Sequence, residues 1–154
     1  MKKGVIFISS IILSLLAGVI GSIATIPNIP TWYAALVKPP LLPPNEVFGP
    51  IWTLLYVLIG IALALVIIEN SEQKKPAYLW FTVQLILNTT WSLVFFGLQQ
   101  PWPAVLVIVA LLFSVVMTLL SFNKIVPTTK WLLLPYGAWI CFASYLNMAV
   151  AILN

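Results

Sequence analysis

The chain has 154 residues, 62% of them apolar and only 6% charged, with a formal net charge of +4 and a mean hydropathy of +1.12. Soluble domains carry roughly 25% charged residues, and disordered chains are charged and poor in aromatics, so both classes are excluded. Histidine, aspartate and arginine are absent, Cys141 is the lone cysteine, and Glu46, Glu69 and Glu72 are the only acids, which excludes Ser-His-Asp and Cys-His nucleophiles, His- or multi-Cys metal sites and an intrachain disulfide.

A transmembrane helix needs about 20 predominantly apolar residues. Five stretches qualify: Val5–Ile26, Val47–Ile68, Ala77–Leu98, Ala104–Phe122 and Trp131–Leu153. The expected fold is therefore all-α, one membrane domain over residues 1–154 built as a five-helix bundle. Met1-Lys2-Lys3 precedes the first stretch, as in a signal peptide, but the apolar run exceeds the roughly 7–15 residues of a signal core. Along it, Ser10, Ser14, Ala17, Gly18, Gly21, Ser22 and Thr25 follow helical spacing, a small-residue face that lets helices approach closely in lipid.

Residues 27–46 read as an irregular Pro-rich loop. Six prolines in the eighteen residues Pro27–Pro44 fix φ and remove backbone donors. Such a segment is a stiff connector or, given Trp32, Tyr33, Leu36, Leu41 and Leu42, an apolar lid on the bundle. In the second helix Phe48, Trp52, Tyr56, Ile59 and Leu63 share a face. In the third, Gln84, Asn88, Trp91 and Phe95 do, and amides at such depth must turn inward, as glue between helices or as ligand contacts. Opposite them Thr82, Ile86, Thr89, Leu93 and Gly97 form a candidate dimer face. A turn is expected around Pro101–Trp102–Pro103. In the fifth helix Pro135, Trp139, Ala143, Leu146 and Val150 align, with Asn147 at the edge.

Trp80, Trp102 and Trp131 fit an interfacial belt, whereas Trp52, Trp91 and Trp139 lie too deep on inward faces for one. With Gly18, Gly21 and Ser22 of the first helix they predict an aromatic-lined cavity beneath the Pro-rich segment, suited to a flat, apolar small molecule. No carboxylate is expected there. Lys2, Lys3, Lys74, Lys75, Lys124 and Lys130 fall on one side of a five-span topology and Lys38 alone on the other, which predicts a cytoplasmic N-terminus and an outside C-terminus.

The ordered string Trp32-Tyr33…Leu36…Lys38-Pro39…Pro43-Pro44…Phe48-Gly49-Pro50…Trp52-Thr53…Tyr56 resembles the signature of the TspO/translocator-protein family. Gln84-Leu85…Asn88…Trp91-Ser92…Phe95-Phe96-Gly97 and Pro135-Tyr136…Trp139…Phe142-Ala143…Leu146-Asn147…Asn154 continue it, so that the likeness runs from about Gly18 to the last residue. The resemblance implies a multi-pass protein of a bacterial cell membrane, often homodimeric. It also implies that porphyrins such as protoporphyrin IX, and benzodiazepine-site drugs, bind in a pocket beneath the first loop. By position the family's pocket tryptophans fall on Trp52 and Trp139 and its pocket amide on Asn88. Light- and oxygen-dependent porphyrin breakdown, as in some bacterial members, would then involve Trp52 and Trp139. Sterol binding is not carried over, because no Lys or Arg follows Tyr145.

Combining faces and resemblance, the candidate ligand-binding residues are Gly18, Gly21, Ser22, Trp32, Lys38, Phe48, Trp52, Tyr56, Gln84, Asn88, Trp91, Phe95, Trp139, Phe142, Ala143, Leu146 and Asn147. No resident cofactor or metal is expected, since a metal-free porphyrin, as ligand or substrate, needs no axial ligand. Its propionates would seek Lys38, Asn28, loop N–H groups or the headgroup region. The partners expected are membrane lipid and a second copy, with no nucleic acid. The competing function is a small transporter of porphyrins or other apolar ligands, although no acid lies mid-span to couple protons.

Overall fold

The computed structural model describes residues 3–154, in which all five predicted spans are helical and no strand occurs. Lys2, one of the lysines in the orientation argument, lies outside the described residues. The helices are α1 (Lys3–Thr25), α2 (Asn45–Ile68), α3 (Lys74–Ser92), α4 (Pro101–Ile125) and α5 (Thr129–Leu153). α1 packs on α2 and α3, α4 on α3 and α5, and α5 on α2, which closes a ring. Ile23, Leu106 and Ile152 are exposed on its outside, as a bundle that meets lipid requires. Up-and-down order gathers Lys3, Lys74, Lys75, Lys124 and Lys130 at one end and leaves Lys38 at the other.

Helical winding does not stop at Ile26. Beyond Thr25 it tightens into a 3₁₀ turn, Ile26–Asn28, then widens into a π turn, Ile29–Tyr33, extending the first span to 31 residues, Lys3–Tyr33. Pro27 and Pro30 lack the N–H that a regular α-ladder needs, so the winding changes instead of breaking. Side chains cover freed carbonyls: Asn28 Nδ2 donates to Ala24 O at 2.9 Å and Thr31 Oγ1 to Pro27 O at 3.0 Å. The loop predicted over 27–46 therefore shrinks to residues 36–44.

Pro101 and Pro103 likewise open α4 rather than forming the predicted turn, because the first helical positions need no intrahelical N–H. The reversal falls at residues 98–100, where Gln99 takes a left-handed φ of 56°. α3 also ends in a π turn, Leu93–Gly97. The α1–α2 crossing uses the small-residue face: Ser10, Ser14 and Ala17 are buried, and a side chain at Gly60 would meet the α1 backbone, 2.9 Å from Ser10 O. At the lysine-rich end Phe81 stacks on Phe122, centroids 6.0 Å apart, among fully buried Ala62, Val66 and Ala77. Lys74 Nζ donates to Ile67 O at 2.9 Å, closing the C-terminus of α2.

Candidate functional site

Small residues and prolines leave a gap at the end away from the lysines. A cavity of about 500 Å³ lies between α1, α2, α5 and the π turn of α3. Its walls are aromatic: Tyr33, Phe48, Trp52, Tyr56, Trp91, Phe95, Phe96 and Trp139. Trp52 is their hub, stacked on Tyr56 at 5.6 Å, with Trp91 and Trp139 each 6.5 Å away and Tyr136 at 6.4 Å. Gly18 is required here, because a Cβ would overlap the Tyr56 ring.

A hydrogen-bonded network forms the floor. Tyr56 Oη donates to Asn88 Oδ1, Asn88 Nδ2 to Tyr136 Oη at 3.2 Å, and Tyr136 Oη to Gln84 Oε1 at 2.8 Å. Buried amides and phenols are tolerated at this depth because they bond to one another, with only Gln84 Nε2 of this group left without a partner. On the wall, Trp91 Nε1 donates to Asn147 Oδ1 at 2.9 Å, and Asn147 Nδ2 passes the connection to Pro101 O at 2.9 Å. Trp139 differs: its Nε1 is buried with no acceptor.

Of the predicted ligand-binding residues, Gly18, Ser22, Phe48, Trp52, Tyr56, Trp91, Phe95, Trp139, Ala143, Leu146 and Asn147 line the cavity. Six do not. Gly21 is buried against α3, where a Cβ would stand 3.0 Å from Ser92 Oγ. Gln84 and Asn88 belong to the floor beneath. Phe142 stands behind Trp139, tilted at 5.7 Å. Trp32 packs edge-on against Phe95 at 5.5 Å and faces a second, smaller hollow of about 230 Å³ with Trp102 and Asn154. Lys38 is turned away, its Nζ donating to Ala34 O at 2.9 Å and Leu36 O at 3.2 Å, 5.2 Å from the Tyr33 ring centroid. It caps the carbonyl end of the extended first helix, a favoured place for a cation. Asn28, the other proposed carboxylate donor, gives its N–H to Ala24 and accepts from Gln99 Nε2 at 3.1 Å.

The cavity does contain a carboxylate, against expectation. Glu46 lines its mouth in the first turn of α2. Glu46, Gly49 and Thr53 are spaced i, i+3, i+7, one helical stripe that was open to reading from the sequence. Ile29 and Tyr33 were missed because their place depends on winding past two prolines. Residues 36–44 are held down at Val37, whose N–H donates to Asn154 Oδ1 at 2.9 Å and whose O accepts from Asn154 Nδ2 at 3.0 Å.

Two of the five residues of the predicted dimer stripe are occupied within the chain. Thr89 Oγ1 donates to Ala17 O at 3.2 Å, and Gly97 abuts Ala24. Thr82 and Ile86 of the stripe, and Leu93 at the start of the π turn, do face outward, with Leu79 beside them. Trp102 and Trp131 are exposed, as belt residues are, while Trp80 is half-buried against Phe113 at 5.6 Å.

Residues 10–153 match the model of the TspO/MBR family. The chain is 42% identical over 147 residues to "Tryptophan-rich protein TspO" of Archaeoglobus fulgidus, covering 96% of this chain and 95% of that protein. It is 39% identical to the protein of the same name from Chlorobaculum tepidum, over 92% of this chain and 91% of that one. The human "Translocator protein" is 34% identical over 77% of this chain and 72% of its own length.

Proposed function

The chain belongs to the TspO/MBR family, and from that premise we propose that its cavity binds a flat tetrapyrrole such as protoporphyrin IX, or a benzodiazepine-site drug, beneath the loop. Its volume of about 500 Å³ falls within the roughly 300–1,000 Å³ usual for small-molecule sites. The observation that carries the reading is the Trp139 indole, whose buried N–H has no acceptor in an otherwise aromatic cavity. An orphaned donor of this kind can be satisfied by a ligand carbonyl, carboxylate or ring nitrogen, at a net gain of about 1 kcal/mol. The hydrogen-bonded network of Tyr56, Asn88, Tyr136 and Gln84 beneath the cavity supports a binding site over a translocation path.

Any transformation of the ligand would be photochemical. Histidine is absent, and the lining's one carboxylate, Glu46, is exposed at the mouth, so a positioned general base is lacking. A bound porphyrin absorbs light and activates dissolved oxygen, and the protein supplies orientation and oxidisable indoles. Trp52 and Trp139, 6.5 Å apart and nearly perpendicular at 89°, are the neighbours best placed for that role. Porphyrin fluorescence decay under illumination, measured beside binding in the dark, tests it. Trp52→Phe and Trp139→Phe should each keep binding within a few-fold and lose most light-dependent degradation. Parental degradation rates in both variants would remove the indole role. Porphyrin uptake into sealed liposomes without saturable binding would favour the transporter instead.

The lysine-rich end is proposed to face the cytoplasm, so that the cavity opens in the outer half of a bacterial membrane. Cysteine labelling from outside should modify a probe at Asn154 and spare one at Lys3; the opposite pattern overturns the orientation. Homodimers are proposed to form through the outward α3 face, and cross-linking at Ile86 or Leu93 tests them.

A further inference from the structure

The cavity mouth is negatively charged, and nothing in the lining balances it. Glu46 is the lining's only ionisable residue of either sign apart from tyrosine. It occupies the first turn of α2. The nearest candidate counter-charge, Lys38, is committed to the Ala34 and Leu36 carbonyls and does not line the cavity. The lining also holds the indoles of Trp52 and Trp139, and an aromatic face attracts cations and not anions.

We infer that Glu46 is a specificity-determining residue: it makes the cavity select flat aromatic ligands by charge, favouring a neutral or cationic edge at the mouth over a carboxylate. The ligand class is then an uncharged or amine-bearing planar ring system. A dicarboxylic porphyrin is admitted only with its acid groups directed away from α2. This deepens the proposed tetrapyrrole site and rests on the same cavity, but charge selection does not require that the natural ligand be a tetrapyrrole.

Two matched pairs of probes separate the two readings, titrated in the dark against purified protein in a neutral detergent. The first pair is protoporphyrin IX and its dimethyl ester. The second is 9-aminoacridine, a cation at neutral pH, and acridine-9-carboxylate, an anion on the same frame. The parent should bind the ester more tightly than the diacid and the amine more tightly than the carboxylate. Glu46→Gln should shrink each preference by about five-fold, the size of one charge interaction across about 4 Å of water. Glu46→Lys should reverse the acridine preference, and added salt should weaken the parent's preference as the Debye length shortens. Glu69→Gln and Glu72→Gln, at the opposite end of the bundle, should change nothing. Absence of a charge preference in the parent, or one that Glu46→Gln leaves intact, overturns the inference. Acridine selectivity without binding of either porphyrin upholds it and removes the tetrapyrrole reading instead.

Discussion

The two ends of the bundle are built from the same helices on opposite packing rules. At the lysine-rich end Phe81 lies flat on Phe122, alanines pack flush against neighbouring helices, and α2 closes on a lysine. At the other end two helices change winding, a glycine makes room for a tyrosine ring, and aromatic side chains surround a cavity of about 500 Å³. One half is packed for stability. The other keeps space, which lowers stability unless something occupies it. Side-chain volume therefore separates scaffold from site in a chain with almost no charge to mark either.

The comparison breaks first if stability is spread evenly. Phe81→Ala should cost about 3–5 kcal/mol, read as a fall in thermal midpoint, while the folded fraction keeps its ligand affinity. At the boundary between the halves, Asn88→Leu removes the partner shared by Tyr56 and Tyr136. It should lower stability by about 1 kcal/mol and ligand affinity several-fold, because freeing Tyr56 loosens the cavity floor. In the cavity itself, Trp52→Phe and Trp139→Phe should each cost at most about 1 kcal/mol in dark binding, since most of the apolar contact remains. The smallest effect belongs to the loop: Asn154→Ala cuts its attachment at Val37 and should raise the ligand off-rate about two-fold at unchanged thermal midpoint. Pro→Gly changes within Pro39–Pro44 should act in the same direction through backbone entropy. An unchanged off-rate in stopped-flow displacement would make residues 36–44 a connector and not a lid.

Most of this architecture was legible in the sequence where periodicity carries it. Five apolar stretches became five helices, and the stripe Gln84, Asn88, Trp91 and Phe95 turned inward as buried amides must. Proline misled in both directions. Pro27 and Pro30 read as loop formers, yet side-chain bonds from Asn28 and Thr31 let winding continue; Pro101 and Pro103 read as a turn, yet helix starts tolerate them. Within the site, helical spacing located the wall but not the division of labour. That Asn88 is spent on two tyrosines, or Lys38 on two carbonyls, is a matter of tertiary geometry that spacing does not contain. Glu46 was readable and overlooked, since its stripe with Gly49 and Thr53 needs only the 3.6-residue repeat.

The central claim is that the aromatic cavity is where the ligand sits, and Gly49 gives the most direct access to it. Gly49 lines the cavity, and a Cβ built there meets no atom within 4 Å, so Gly49→Phe is the substitution chosen to crowd the mouth. Tryptophan fluorescence is to be followed while protoporphyrin IX dimethyl ester is titrated into the parent and this variant, in the dark and in neutral detergent. Saturable quenching at one ligand per chain is expected in the parent, and at least about tenfold weaker binding in Gly49→Phe, with equal thermal midpoints. Equal, saturable binding by both proteins would place the ligand elsewhere, and non-saturating quenching in both would reduce it to partition into the micelle.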